Sequence, residues 1–349
     1  MQSMTERMLE ARSGRCRILL GEGLEHLSRL VEGRRALLVT DAHVREALGA
    51  RFPDGPCVQV GVGEGAKTLA TVEALYEAFL EHELDRGCLV VGVGGGIVCD
   101  LVGFAASTYQ RGLAFGFVPT TLLAQVDASI GGKNGVNLAG AKNLVGLVRQ
   151  PAFVLVDPGT LATLPVRERA CGMAELVKAA AVADGELFAR LEAEGERVMA
   201  LEPGPLAACV AAAVEVKRRI VQEDEAEAGP RMLLNFGHTL GHALEKASGG
   251  AWSHGEAVAI GMVAAARASV VLGHLQASEA HRLEVLLERL GLPTAAAAEE
   301  TARALQALRL DKKRRGGVVH AVLLEALGRG VRVPLELDLL ARLLAGERP

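Results

Sequence analysis

Apolar positions in the first 160 residues fall into short β-branched runs separated by longer stretches with helical spacing. The runs RCRILL, ALLVT, CVQV and CLVVGVGGG predict strands, and 22–32, 43–50, 68–83 and 97–107 predict the helices that follow them. Two further strands are expected at 115–118 and 153–156. Alternation of apolar strands with helices is the pattern of a parallel sheet covered on its faces. After Asp157 the texture changes: 167–183, 186–199, 205–223, 232–248, 255–273, 277–290 and 297–308 all carry helical periodicity, and 318–336 reads as a hairpin turning at Gly328 and Gly330. The pattern predicts an α/β domain over 1–160 and a helical domain over 161–349. The intervening PTTLLAQVDASIGGKNGVNLAGAKN is rich in glycine and polar residues, which predicts a functional loop rather than a tether.

Length supports two domains, since 349 residues exceed one ordinary core of about 150. Aromatics make up only 3% of the chain, so the core must be built from Ala, Val, Leu and Ile. A net charge of −4 argues against a nucleic-acid-binding surface and leaves room for local cation clusters that grip a small anion. Six scattered cysteines without a CxxC pair fit a reduced, cytoplasmic setting. No apolar run is long enough to predict a membrane span or a signal peptide.

Three groups of residues carry candidate chemistry. Gly94, Gly95 and Gly96 end a buried strand and open a helix, where unpaired N–H groups favour a phosphate; a tight turn without a ligand is the alternative, because Cys99 stands where GxGxxG needs glycine. Asp100 is either a partner of that helix dipole or a group that orients a ligand. Arg111, Lys133 and Lys142 lie in glycine-rich surroundings, either as solvated cations or as a cluster converging on one polyanion, with Asp127 and Asn143 completing a polar pocket. His238 and His242, four apart, are the metal pair that spacing nominates, with His254 opening the next helix; histidines bonded within a core are the competing reading. Glu175 and Lys178 form either an ordinary helix-surface ion pair or part of a site.

Taken in order, GGGIVCDLVGFAASTYQRG, VPTTLLAQVDASIGGKNGVN, AKNLVG, LATLPVRERACGMAELVK, RMLLNFGHTLGHALE and HGEAVAIGM resemble the 3-dehydroquinate synthases, over roughly 35–325. The resemblance implies a nucleotide-binding (Rossmann-like) α/β domain followed by an all-helical metal-binding domain, with the active site in the cleft. It replaces the spacing-based pair with Glu175, His238 and His254 as ligands of Zn²⁺ (or Co²⁺), and moves His242 to the substrate pocket. NAD is implied along Val62 to Lys67, with Glu64 and Lys67, then at Gly95, Gly96, Asp100, Thr120, Thr121 and Thr160 to Thr163, with Asp41 on the adenosine ribose and Lys133 and Lys142 also in reach. The substrate pocket is implied at Asp127, Lys133, Lys142, Asn143, Lys178, Lys217, Glu227, Arg231, Asn235, His242 and Lys312. Arg111 is implied to come from the neighbouring subunit of a homodimer. The sequence departs from the family pattern at His43, Cys99 and Asn134, and in LAGAKN.

The implied reaction is that of a phosphorus–oxygen lyase of the shikimate pathway. It converts 3-deoxy-D-arabino-heptulosonate 7-phosphate to 3-dehydroquinate and phosphate through transient oxidation at C5, elimination, re-reduction, ring opening and aldol closure. A carboxylate and a phosphate dianion on one small molecule explain the number of cations. Rival readings are a related cyclase of the inosose or valiolone synthase type, whose substrate lacks the carboxylate that Lys217, Arg231 and Asn235 suit, and a metal-dependent polyol dehydrogenase with net NAD turnover. A non-catalytic metal-binding protein is the blandest alternative.

Overall fold

Wholly buried strands at the centre of the first half pair in parallel, as their apolar runs require. A computed structural model describes residues 5–21, 23–31, 33–312 and 318–347, of which 309–312 are described by backbone alone. The chain divides into two compact units, Met1–Pro165 with Lys217–Glu225, and Val166–Val216 with Ala226–Pro349. The first contains strands β1 (Thr5–Ala11), β2 (Gly14–Leu20), β3 (Ala36–Asp41), β4 (Cys57–Val60), β5 (Leu89–Gly94), β6 (Ala114–Pro119), β7 (Lys133–Leu138), β8 (Ala141–Val148) and β9 (Phe153–Val156). Seven of them form one sheet in the order β1-β2-β9-β6-β5-β3-β4, parallel except for the β1–β2 pair. Leu19, Leu38, Val91, Val118 and Leu155 pack together on one of its faces.

The helices of this unit are α1 (Leu27–Leu30), α2 (Ala42–Leu48), α3 (Leu69–Glu81) and α4 (Gly96–Thr108). Asp41 and Thr68 cap α2 and α3 by accepting bonds from Val44 and Thr71 N–H. By contrast, no side chain caps α4, whose N-cap is Gly95, so its first amides are left without a side-chain acceptor. The segment after β6, expected to be an irregular loop, instead contains the antiparallel β7–β8 hairpin, and β1 is a strand the apolar pattern did not mark. Most of β8 is exposed, so no apolar alternation announces it.

The second unit contains α5 (Val166–Ala183), α6 (Gly185–Met199), most of α7 (Pro203–Glu223), α8 (His238–Ala247), α9 (His254–Val271), α10 (Ala277–Arg289), α11 (Ala298–Lys312) and α12 (Leu337–Leu344). The expected hairpin is present as β10 (Val318–Ala326) against β11 (Arg329–Glu336), so this unit is helical with one hairpin rather than all-helical. The helix predicted over 232–248 is interrupted: a 3₁₀ turn covers Pro230–Asn235, Gly237 turns left-handed at φ 78°, and α8 starts at His238. Only glycine adopts that backbone without strain, so the break is set locally. Leu240, Leu244, Ile260, Leu323 and Leu340 form the core, with Trp252, the chain's one tryptophan, packed against its edge. Among the described residues no helix is long and apolar enough to cross a membrane, and all six cysteines are free thiols.

Candidate active site

Glu175 lies in the middle of α5 with its carboxylate fully buried, a position that is costly for a charge without partners. Neither oxygen makes a hydrogen bond of good geometry. Lys178 pairs with it one turn along the helix, His254 Nε2 lies 3.2 Å from Oε1 and His238 Nε2 lies 3.7 Å away. The ligand atoms of Glu175, His238 and His254 all fall within 4.8 Å of one another. Burial alone would raise the Glu175 carboxyl, but Lys178 and the two imidazoles override it and hold it well below the usual range.

The two histidines are driven in opposite directions. Burial and the nearby Lys178 depress His238 to about 3, so its ring is neutral, and its Nδ1 faces the Phe236 carbonyl at 3.1 Å. Burial also opposes protonation of His254, yet the carboxylates of Glu175 and Glu245 facing its two nitrogens outweigh that and push it to about 9. An ionised, poorly satisfied carboxylate facing two imidazole nitrogens is a donor set that fits Zn²⁺ or Co²⁺. His242, one turn after His238, is exposed; its ring centroid is 5.0 Å from that of His238 and 5.9 Å from that of His254. The pair nominated by spacing is therefore close, but the carboxylate faces His238 and His254.

In the first unit a second polar group forms around Lys67, a buried side chain that bonds both Asp100 and, at 2.5 Å, Asn143 Oδ1. Burial pushes Asp100 up to about 6 against the pull of Lys67. Asn137 ties the group together: its Nδ2 donates to Glu64 at 2.7 Å and its Oδ1 accepts the Asn143 N–H at 2.9 Å. Asn143 itself is left-handed at φ 52°. The β7–β8 hairpin is thus latched to the 64–67 turn, bringing Glu64, Lys67, Asp100 and Asn143 together.

The glycine turn is tightly packed. A Cβ at Gly95 would meet Thr121 at 3.1 Å and one at Gly96 would meet Ala128 at 3.1 Å. Cys99 is buried in α4, its thiol raised by burial and directed at the Gly94 carbonyl. Asn134 is also buried and donates to the Gly132 and Arg149 carbonyls, closing the base of the hairpin. Thr120 is buried with its hydroxyl unpartnered, whereas the Thr160 hydroxyl is engaged by the Asp157 carbonyl and Gln125.

Other predicted residues are distributed more widely. Lys217 pairs with Asp127, which lies in a π-helical turn over Ala124–Ala128. Arg231 is 3% exposed, and Asn235 donates to Glu227 at 2.5 Å. Lys133, Lys142, Thr163, His43 and Arg111 are exposed, Arg111 with left-handed backbone at φ 66°. Asp41 is half-exposed and uses one oxygen to cap α2. The Lys312 side chain lies outside the described residues.

Comparison with known proteins adds the decisive observation. Residues 57–171 match the 3-dehydroquinate synthase N-terminal family and 172–314 match its C-terminal family. The 3-dehydroquinate synthase of Halorhodospira halophila is 45% identical over 322 residues, covering 90% of this chain and 91% of that protein. The chain belongs to the 3-dehydroquinate synthase family. Among solved structures, 2-epi-5-epi-valiolone synthase from Streptomyces hygroscopicus subsp. jinggangensis, described with NAD⁺ and Zn²⁺ bound, superposes with a TM-score of 0.87 at 30% identity, over 97% of this chain and 98% of that one. A 2-deoxy-scyllo-inosose synthase, described in complex with carbaglucose-6-phosphate, NAD⁺ and Co²⁺, gives 0.83 at 25% identity over 98% and 100%. As a 3-dehydroquinate synthase family member the chain is an enzyme, with the α/β-then-helical order of that family. Three residues that touch the family's expected positions escaped the sequence reading: Asn137, Cys171 and Glu245. Only Glu245 left a trace, seven residues after His238 on one helix face.

Proposed function

We propose that this enzyme converts 3-deoxy-D-arabino-heptulosonate 7-phosphate to 3-dehydroquinate and phosphate, with Glu175, His238 and His254 as the ligands of Zn²⁺ or Co²⁺. The observation that carries this reading is the buried Glu175 carboxylate, ionised yet without a good hydrogen bond, facing two imidazoles. These three residues would hold a divalent ion, which would supply Lewis-acid chemistry toward substrate oxygens. The α4 N-terminus with Glu64, Lys67 and Asp100 would hold NAD, which would supply a reversible hydride acceptor.

The chain's own residues do the remainder. Uncapped amides of α4 offer N–H donors to a pyrophosphate. Lys67 holds Asp100 and Asn143 in fixed relation, so that cofactor-side and substrate-side groups are pre-organised by one ammonium. Lys178 offsets the Glu175 charge and presents a cation beside the metal ligands. Asp127 keeps the Lys217 ammonium in place, and Arg231 supplies a buried guanidinium suited to a carboxylate. The exposed, left-handed Arg111 supports a role across a homodimer interface, where it would reach the partner's substrate phosphate. A reduced cytoplasmic setting is supported by six free thiols.

The test is to supply the heptulosonate phosphate with NAD at catalytic concentration and to measure phosphate release together with the carbocyclic product. One phosphate per carbocycle without net NADH is the expected outcome. Accumulation of NADH in step with turnover would instead favour the dehydrogenase reading, and turnover of a phosphorylated sugar lacking a carboxylate would favour a related cyclase.

A further inference from the structure

His254 is held between two carboxylates. Its Nε2 lies 3.2 Å from Glu175 Oε1, and its Nδ1 lies 3.1 Å from Glu245 Oε2. Glu245 lies two turns beyond His238 on α8, and its side chain is only 9% exposed. A single helix therefore carries one imidazole of the metal group and the acceptor for the other. His238 has its own arrangement, with Nδ1 facing the Phe236 carbonyl. In both rings an acceptor occupies the Nδ1 side, so Nδ1 holds an N–H and Nε2, on the side of Glu175, is the nitrogen left to bind a metal.

The two acceptors differ in kind. Phe236 offers a neutral carbonyl, whereas Glu245 offers a carboxylate. Glu175 and Glu245 bring two carboxylates to the group, the first of them partly offset by Lys178. A carboxylate behind an imidazole makes that ring a stronger electron-pair donor and holds its plane against rotation. We propose that Glu245 is a positioning residue of the metal site, which orients His254 through Nδ1 and raises its strength as a ligand without contacting the ion. The inference rests on Glu175, His238 and His254 being the metal ligands.

The full-length chain tests this through metal affinity, measured by competition with a chromogenic chelator for Zn²⁺ and Co²⁺, and through the visible absorption of the Co²⁺ form. Glu245→Gln, which keeps shape and an acceptor oxygen but not the charge, should weaken binding by about tenfold, and Glu245→Ala by up to about 100-fold with a shifted Co²⁺ spectrum. If Glu245→Ala does not fold, as judged by circular dichroism of the metal-free protein, the Glu245→Gln affinity decides alone. Unchanged affinity and spectrum in these variants, alongside metal loss in Glu175→Gln, would overturn the positioning role and leave the metal site standing. Absence of metal binding by the unaltered chain would overturn both. His242, Glu245 and His254 also bring ligand atoms within 4.8 Å of one another, so two ions per chain falling to one in Glu245→Ala would make Glu245 a ligand and likewise overturn the proposal.

Discussion

The backbone N–H of Gly255 is directed at the sulfur of Cys171, 3.0 Å away. Cys171 lies one turn before Glu175 on α5, and Gly255 directly follows His254 at the start of α9, so this contact sets the approach of two proposed ligands. A methyl group at 255 would come within 2.4 Å of both the Cα and the carbonyl oxygen of Cys171. Backbone cannot yield to it as a flexible side chain would. Gly255→Ala should therefore cost about 3 kcal/mol of stability and reduce metal content, checked by denaturant titration and elemental analysis. Wild-type values for both would show that the helices separate freely.

Glu256 closes a capping box with Ser253 at the head of α9 and accepts two bonds from Arg167, at 2.8 and 2.6 Å. Arg167 first, and the Ser253 bonds after it, hold the carboxyl down at about 2 from its ordinary 4.5. The folded value is the lower one, so the contribution is fully present above about pH 4.5 and is lost as pH falls towards 2. Glu256→Gln should thus melt below the wild type at neutral pH and converge with it in acid. Arg167 is more than half exposed, so solvent keeps the difference small.

Asn137 bonds Glu64 with one end of its amide and the Asn143 backbone with the other. Asn137→Ala removes both ties and frees the hairpin from the 64–67 turn. At about 1 kcal/mol for each lost bond, NAD affinity should fall by roughly tenfold or more while metal content is unchanged. Isothermal titration with NAD, beside a metal assay, separates the two.

Arg231 is buried, and its fork of donors suits a carboxylate. Arg231→Lys retains the charge but loses the planar two-point grip. KM for the heptulosonate phosphate should rise by about tenfold with metal content intact. Loss of metal in that variant would contradict a substrate-facing role.

The sheet was legible because β3, β5, β6 and β9 are buried on both faces and therefore apolar along their length. The hairpin at 133–148 was not, because the outward residues Lys142, Asn143 and Leu144 obey no burial period. Nor did local spacing lead to the metal group. Glu175, His238 and His254 come from α5, α8 and α9, so their meeting is a product of packing, whereas His238 and His242 advertise themselves by lying one turn apart. The left-handed Gly237 made the same point in miniature, since hydrophobic periodicity runs straight through a break that backbone geometry imposes.

Trp252 stands two residues before His254, and the chain has no second indole. Ultraviolet emission from the protein therefore originates beside a proposed ligand instead of being averaged over distant chromophores. Titrating cobalt, whose unfilled d shell quenches nearby excited states, would turn that natural lamp into a gauge of site filling that needs no label and no substrate.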